Sequence, residues 1–197
     1  METISKDKAI RLLHQKKVVF FDVIDAQKIF KTKKQKTLYE LLQRLEKSGV
    51  VNRIKKGKYH FSLKEYNDFE LANFLVNPSY ISLESALSFY GILPQFPYTI
   101  SSVTPLKSQK IIFQGKEYEF CHIENKYFFD FVKKDNFLIA TPEKALIDEL
   151  YFVAKKLRKI HIRDLDLKMI TKKRLKELIK KYNFLPLQNL IKRWKII

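Results

Sequence analysis

Glycine and cysteine are both scarce in this chain of 197 residues, which holds four of the first and one of the second. The lone Cys121 excludes an intramolecular disulfide and any site built on a cysteine cluster. So few glycines leave no Gly-rich phosphate loop, and nucleotide binding of the Rossmann or P-loop kind has no support. The four histidines, His14, His60, His122 and His161, are scattered without ligand spacing, so neither a metal nor a cofactor is expected. No segment approaches 18 uninterrupted apolar residues, and no membrane-spanning helix is expected. The opening METISKDKAI lacks the apolar run of a signal peptide, which makes the cytoplasm the expected location.

Acidic residues are short as well, at 21 against 39 Lys and Arg, for a net charge of +18. Nucleic acid or an anionic membrane surface is the usual partner of such a field. The charge is unevenly spread. Residues 1–66 hold 17 cations against 7 acids, residues 67–154 hold 7 against 11, and residues 155–197 hold 15 against 3. Basic ends around a mildly acidic middle point to a division of labour along the chain. Apolar residues make up 46% of it, enough to bury a core in one large domain or two small ones.

Helix signals open the chain. Ser5 is a plausible N-cap for a helix over residues 6–15, with Ala9, Ile10, Leu12 and Leu13 apolar. VVFFD is a short apolar stretch, and Asp22 or Asp25 stands near the start of a second helix that would bury Val23, Ile24, Ala26, Ile29 and Phe30. Thr32 followed three residues later by Gln35 matches a capping box at the start of a third. In it Leu38, Leu41, Leu42 and Leu45 fall at i, i+3, i+4 and i+7, one buried stripe. At 100° per residue the opposite face collects Lys36, Tyr39, Glu40, Gln43 and Lys47, and Gly49 ends the helix. VVNRI, KKGK and KYHFS then read as strand, turn and returning strand.

Three helices and a hairpin in about 62 residues predict a winged helix-turn-helix over 1–64, with a mixed α/β domain over 65–197. The fold class expected is α+β. The second domain would carry a connecting helix over 66–76, a helix from Ser82 to Gly91 and a small sheet from YTISSVT and KIIFQGKEYEFCHI. FLIATPEKALIDELYF would add a strand and a helix capped at Thr141, and a basic helical tail would follow from about Thr171.

In helix-turn-helix proteins the start of the second motif helix meets base edges while flanking cations hold phosphates. Here that region is Thr32, Lys33, Lys34, Gln35, Lys36 and Thr37, with Tyr39 and Gln43 further along the open face. Gln35 suits adenine, and lysines suit guanine or phosphate. The hairpin cations Arg53, Lys55, Lys56 and Lys58 would track the adjacent backbone. These twelve positions are the candidate DNA-binding set. Winged helices also serve as protein-interaction modules whose charges are simply solvated, and that alternative stays open.

A metal-dependent nuclease needs carboxylates converging on a hard cation. Glu117 and Glu119 alternate on a strand, and Glu143, Lys144, Asp148 and Glu149 cluster on a helix. Glu143 is better explained by the helix dipole, Lys144 with Asp148 by an i,i+4 pair, and the strand acids by a solvent face. No catalysis and no catalytic residue are expected. The tail KKRLKELIKKY is amphipathic on Leu175, Leu178 and Ile179, with an apolar face too narrow to favour a membrane.

The order of blocks resembles a family. A basic module ending in GVVNRIKKGKYHF precedes PSYISLESALSFYGILPQ, a strand region, FLIATPEKALIDELYF and a basic tail. This looks like the AbiEi-type antitoxins of bacterial abortive-infection toxin–antitoxin systems of type IV. The specific parts are the SYISLESAL…YGILPQ and ATPEKALIDELY blocks. The resemblance implies a repressor that binds inverted repeats in double-stranded promoter DNA. It also implies a C-terminal domain that completes repression and counters a nucleotidyltransferase toxin without a stable complex. It gives no residue map for antitoxicity, so Ser82, Glu84, Tyr90, Glu143 and Lys144 are scaffold or surface. Stand-alone regulators without a toxin share the family, and the sequence leaves that choice open.

Overall fold

The first two helices of the chain begin where a side chain occupies their free amides. The computed structural model describes residues 4–32 and 34–196. In it Ser5 accepts the Lys8 N–H at 3.3 Å and opens α1 (Lys6–Gln15). After β1 (Phe20–Asp22), helix α2 (Val23–Ile29) has a reciprocal capping box. Asp22 accepts the Asp25 N–H at 2.8 Å, and Asp25 accepts the Asp22 N–H at 3.2 Å.

The capping box expected at Thr32 and Gln35 is absent. Helix α3 (Gln35–Lys47) starts after Lys34, which makes no side-chain cap. Thr32 is still leaving α2: its N–H reaches the Gln27 carbonyl, and its buried hydroxyl donates to Phe30 O at 3.3 Å. With Gln35 the first helical residue, the N-cap position falls to Lys34, so Thr32 lies two residues too early to cap the helix ahead.

Leu38, Leu41, Leu42 and Leu45 of α3 pack into one core with Ala9, Leu13, Phe21, Ala26, Phe30, Val51 and Phe61. Ile24, expected on the buried face of α2, is instead exposed at 62%. Gly49 follows α3 at φ +70°, as a left-handed helix terminus requires. Strands β2 (Val51–Lys55) and β3 (Lys58–Phe61) pair antiparallel with an irregularity between Arg53 and Lys55. Gly57 turns the hairpin at φ +77°.

VVFFD does more than fill space. Its residues 20–22 form β1 against the far side of β3, so the sheet order is β1-β3-β2 with Asp22 opposite Lys58. Val23 N–H also donates to Gly57 O at 3.2 Å, tying the hairpin tip to the start of α2.

The chain divides after Asn67 into two units, Met1–Asn67 and Asp68–Ile197. The second starts with α4 (Asp68–Leu75), β4 (Tyr80–Ile81) and α5 (Leu83–Phe89). Then come β5 (Ile100–Thr104), β6 (Gln109–Phe113), β7 (Lys116–His122), β8 (Phe131–Lys134) and β9 (Phe137–Ala140). Helices α6 (Pro142–Ala154), α7 (Lys172–Lys181) and α8 (Leu185–Trp194) finish it.

Its six-stranded sheet runs β6-β7-β5-β4-β9-β8, with β5/β7 and β4/β9 parallel and the other neighbours antiparallel. Gln114 and Gly115 turn β6 into β7, both at positive φ. Helix α6 packs against α5, α7 and α8, so it has no free side. The described chain is thus mixed α+β with eight α-helices and two sheets. No helix among the described residues is long and apolar enough to cross a membrane.

Candidate nucleic-acid interface

One face of α3 is spent on the core, which leaves its other face to solvent. Lys34, Gln35, Lys36, Thr37, Tyr39 and Gln43 are all exposed. Lys33 lies outside the described residues. Thr32 leaves the surface set, because it is 5% exposed and its hydroxyl is occupied.

Opposite α3 stands the β2–β3 hairpin, and the two enclose an open groove of about 800 Å³. Lys36, Tyr39, Glu40, Gln43, Glu46 and Lys47 line it from α3, and Arg53, Lys56, Gly57 and Tyr59 from the hairpin. Four of the predicted positions on the helix and the strand, Lys36, Tyr39, Gln43 and Arg53, therefore face one space, together with Lys56 at the tip.

The hairpin cations differ in environment. Arg53 and Lys56 are exposed, whereas Lys55 and Lys58 are half-buried. Burial lowers the pKa of Lys55. It lowers that of Lys58 too, where Lys55 adds to the effect and Asp22 and Asp25 oppose it. Lys58 therefore sits in the field of the α2 capping carboxylates, and part of its charge is offset within the protein. Among the described residues, Lys34, Lys36, Lys47, Arg53 and Lys56 have no carboxylate partner.

Uncompensated cations packed on one face repel one another, at about 1 kcal/mol for a pair at 4 Å in water. A polyanion relieves that repulsion and releases its counterions in doing so. The end of α3 adds to this field. Its first amides lack a side-chain cap, so they remain available to an anion at the positive end of the helix dipole.

Lys47, Glu46, Glu40 and Tyr59 line the groove outside the predicted set. Periodicity already placed Glu40 and Lys47 on the open face of α3. Tyr59 is 5% exposed, and only the pairing of β3 between two strands brings its edge to the groove.

The carboxylates weighed for a nuclease lie in the second unit and are dispersed. Glu117 pairs with Lys110 at 3.1 Å, and Glu119 is held by Arg158, which also binds Glu84. Glu143 accepts the Thr171 N–H at 2.9 Å. Among the described residues no group of three or more His, Cys, Asp or Glu is arranged to hold a metal.

The acids of α6 form the interior of that unit. Residues 143–152 are buried without a break, four charged side chains included. Asp148 accepts from Tyr80 at 2.9 Å and Ser82 at 2.8 Å on one oxygen, and from Tyr182 at 2.8 Å and the Lys144 ammonium on the other. Lys144 also lies over the rings of Tyr80, Phe129 and Tyr182 at 5.1–5.5 Å. Burial lowers the Lys144 pKa while Asp148 opposes that shift. Burial raises the Tyr80 and Tyr182 hydroxyls well above the usual tyrosine value, and Asp148 adds to it. Such a network, with every member paired, specifies one packing of the core.

Compared with known protein families and with characterised proteins, the chain matches none.

Proposed function

We propose that this chain is a cytoplasmic DNA-binding transcriptional repressor. Its first unit acts as a winged helix-turn-helix, with α3 as the reading helix and the β2–β3 hairpin as the wing. One observation carries the reading: cations without carboxylate partners stand on both walls of the groove between α3 and the hairpin. Lys36 and Lys47 flank the helix face, while Arg53 and Lys56 face them from the hairpin.

In this reading the helix enters the major groove, Gln35 and Gln43 meet base edges, and the cations hold phosphates on either side. The uncapped start of α3 holds a further phosphate through its amides. Lys58, partly offset by Asp22 and Asp25, contributes less than Arg53 and Lys56.

The antitoxin role, with a nucleotidyltransferase toxin as functional partner, rests on the resemblance of the SYISLESAL…YGILPQ and ATPEKALIDELY blocks alone. Those blocks supply Tyr80, Ser82, Lys144 and Asp148, the buried centre of the second unit. A resemblance carried by those residues speaks for a similar core and assigns no surface to the antitoxic effect.

The test is fluorescence anisotropy with duplexes spanning the upstream promoter, run across a salt series. Binding is expected to weaken with a log–log slope of roughly −0.9 per phosphate contacted. Affinity that ignores salt, or no binding at all, overturns the DNA reading. Co-expression with the neighbouring gene tests the second role, and failure to relieve its toxicity removes the antitoxin while leaving the repressor.

A further inference from the structure

The groove between α3 and the hairpin holds an anomaly among its cations. Glu40 is exposed, lines that groove, and also lines the hollow on the other side of α3, so it stands on the crest of the helix. The sequence offers it two i,i+4 partners, Lys36 before it and Arg44 after it. The structure uses neither. The Arg44 guanidinium donates to Ile4 O at 2.6 Å instead, and Glu40 has no ion pair among the described residues.

A surface that only tracked phosphates would gain nothing from a free carboxylate at its centre, because that charge repels every duplex regardless of sequence. Base edges are different. In the major groove the cytosine N4 amino group offers a donor with no acceptor beside it on that base, and a carboxylate is the side chain that accepts from it. Gln43 follows Glu40 by three residues on the same open face, and Lys36 and Lys47 flank the pair along the helix. The α3 wall is thus acidic and neutral at its middle, with Lys36 at one end and Lys47 beside Glu46 at the other. The hairpin cations Arg53 and Lys56 face it, a base contact framed by phosphate contacts.

We propose that Glu40 is a specificity-determining residue that accepts a hydrogen bond from the N4 amino group of a cytosine in the operator. This rests on the DNA-binding reading of the same groove. The carboxylate lowers affinity for all DNA slightly and restores it only where a cytosine donor meets it, so it converts general attraction into preference.

The experiment selects duplexes from a randomised pool with the full-length chain, with Glu40→Ala and with Glu40→Gln. Affinities are then compared by anisotropy at two salt concentrations, and circular dichroism checks that each variant is folded. The wild type is expected to prefer cytosine at one position by roughly 5- to 100-fold, the discrimination a good base contact supplies. Glu40→Ala should lose the preference at that position alone. Glu40→Gln should move it toward adenine, whose edge pairs a donor with an acceptor. Unchanged preference at every position in both variants overturns the proposal, as does a uniform gain in affinity for all duplexes in Glu40→Ala. Absence of salt-dependent binding by the wild type overturns the DNA-binding reading itself, a separate result.

Discussion

Replacing Glu149 by glutamine should remove a pH dependence built into the second unit. Glu149 lies on α6 with no exposed surface, and neither carboxylate oxygen has a hydrogen-bond partner among the described residues. Burial first, then the charges of Glu84, Asp148 and Glu119 against the opposing Arg158, raise its pKa from the ordinary 4.5 to about 8. The folded state therefore keeps a proton that the unfolded chain releases near pH 4.5. Stability contributed by that proton is complete below pH 4.5 and is lost as pH rises through about 8. The slope across the window is about 1.4 kcal/mol per pH unit, and the full loss approaches about 5 kcal/mol. Glutamine has the shape of the protonated acid and does not titrate, while every other ionisable group is common to both chains. Urea unfolding at pH 5, 6, 7 and 8 is the assay, followed by the fluorescence of Trp194, the chain's one tryptophan, which lies on α8 of the same unit. The variant should gain on the wild type steadily from pH 5 to pH 8. A constant difference across that range would refute the argument, since it would mean that Glu149 is ionised in the fold.

The remaining predictions concern the buried pair and the groove. Asp148→Ala leaves the Lys144 ammonium buried beside Tyr80 and Tyr182 with no direct ion-pair partner, only the weaker field of Asp130, and should cost about 3–5 kcal/mol; a loss under about 1 kcal/mol in the same urea assay would show that water reaches the pair. Arg53→Ala combined with Lys56→Ala should flatten the salt dependence of DNA binding by about 2 in log–log slope. Lys58→Ala alone should change that slope by less than either, because Asp22 and Asp25 already offset its charge, and an equal effect would place Lys58 among the phosphate contacts.

Much of the first unit can be read along the chain because its signals are local. The leucine stripe of α3 and the Ser5 cap depend on residues at most seven apart, and both appear as the spacing implies. Strand β1 could not be read so, since three residues are too few to display a period and its pairing with β3 spans some forty positions. A capping box was expected at Thr32–Gln35, and none formed there because α3 starts only after Lys34; the box that did form joins Asp22 and Asp25, read along the chain only as acids near a helix start. The candidate groove was half legible. Helical periodicity places Lys36, Glu40, Gln43 and Lys47 on one face, but that the hairpin stands across from them depends on the sheet.

By itself the sequence determined the helices, the hairpin turn at Gly57 and the gathering of cations around both, because each follows from neighbours within a turn or two of backbone. Tertiary structure alone decided which charges are solvent-facing and which are internal. The EKALIDE run offers an i,i+4 pair in Lys144 and Asp148, and that pair forms, yet it lies buried at the centre of the second unit. Burial is set by elements distant in the chain: Tyr80 and Ser82 come from more than sixty residues before Asp148, and Tyr182 from thirty-four after it. A charge can enter a core only when such partners arrive from several directions, and no local spacing records their arrival.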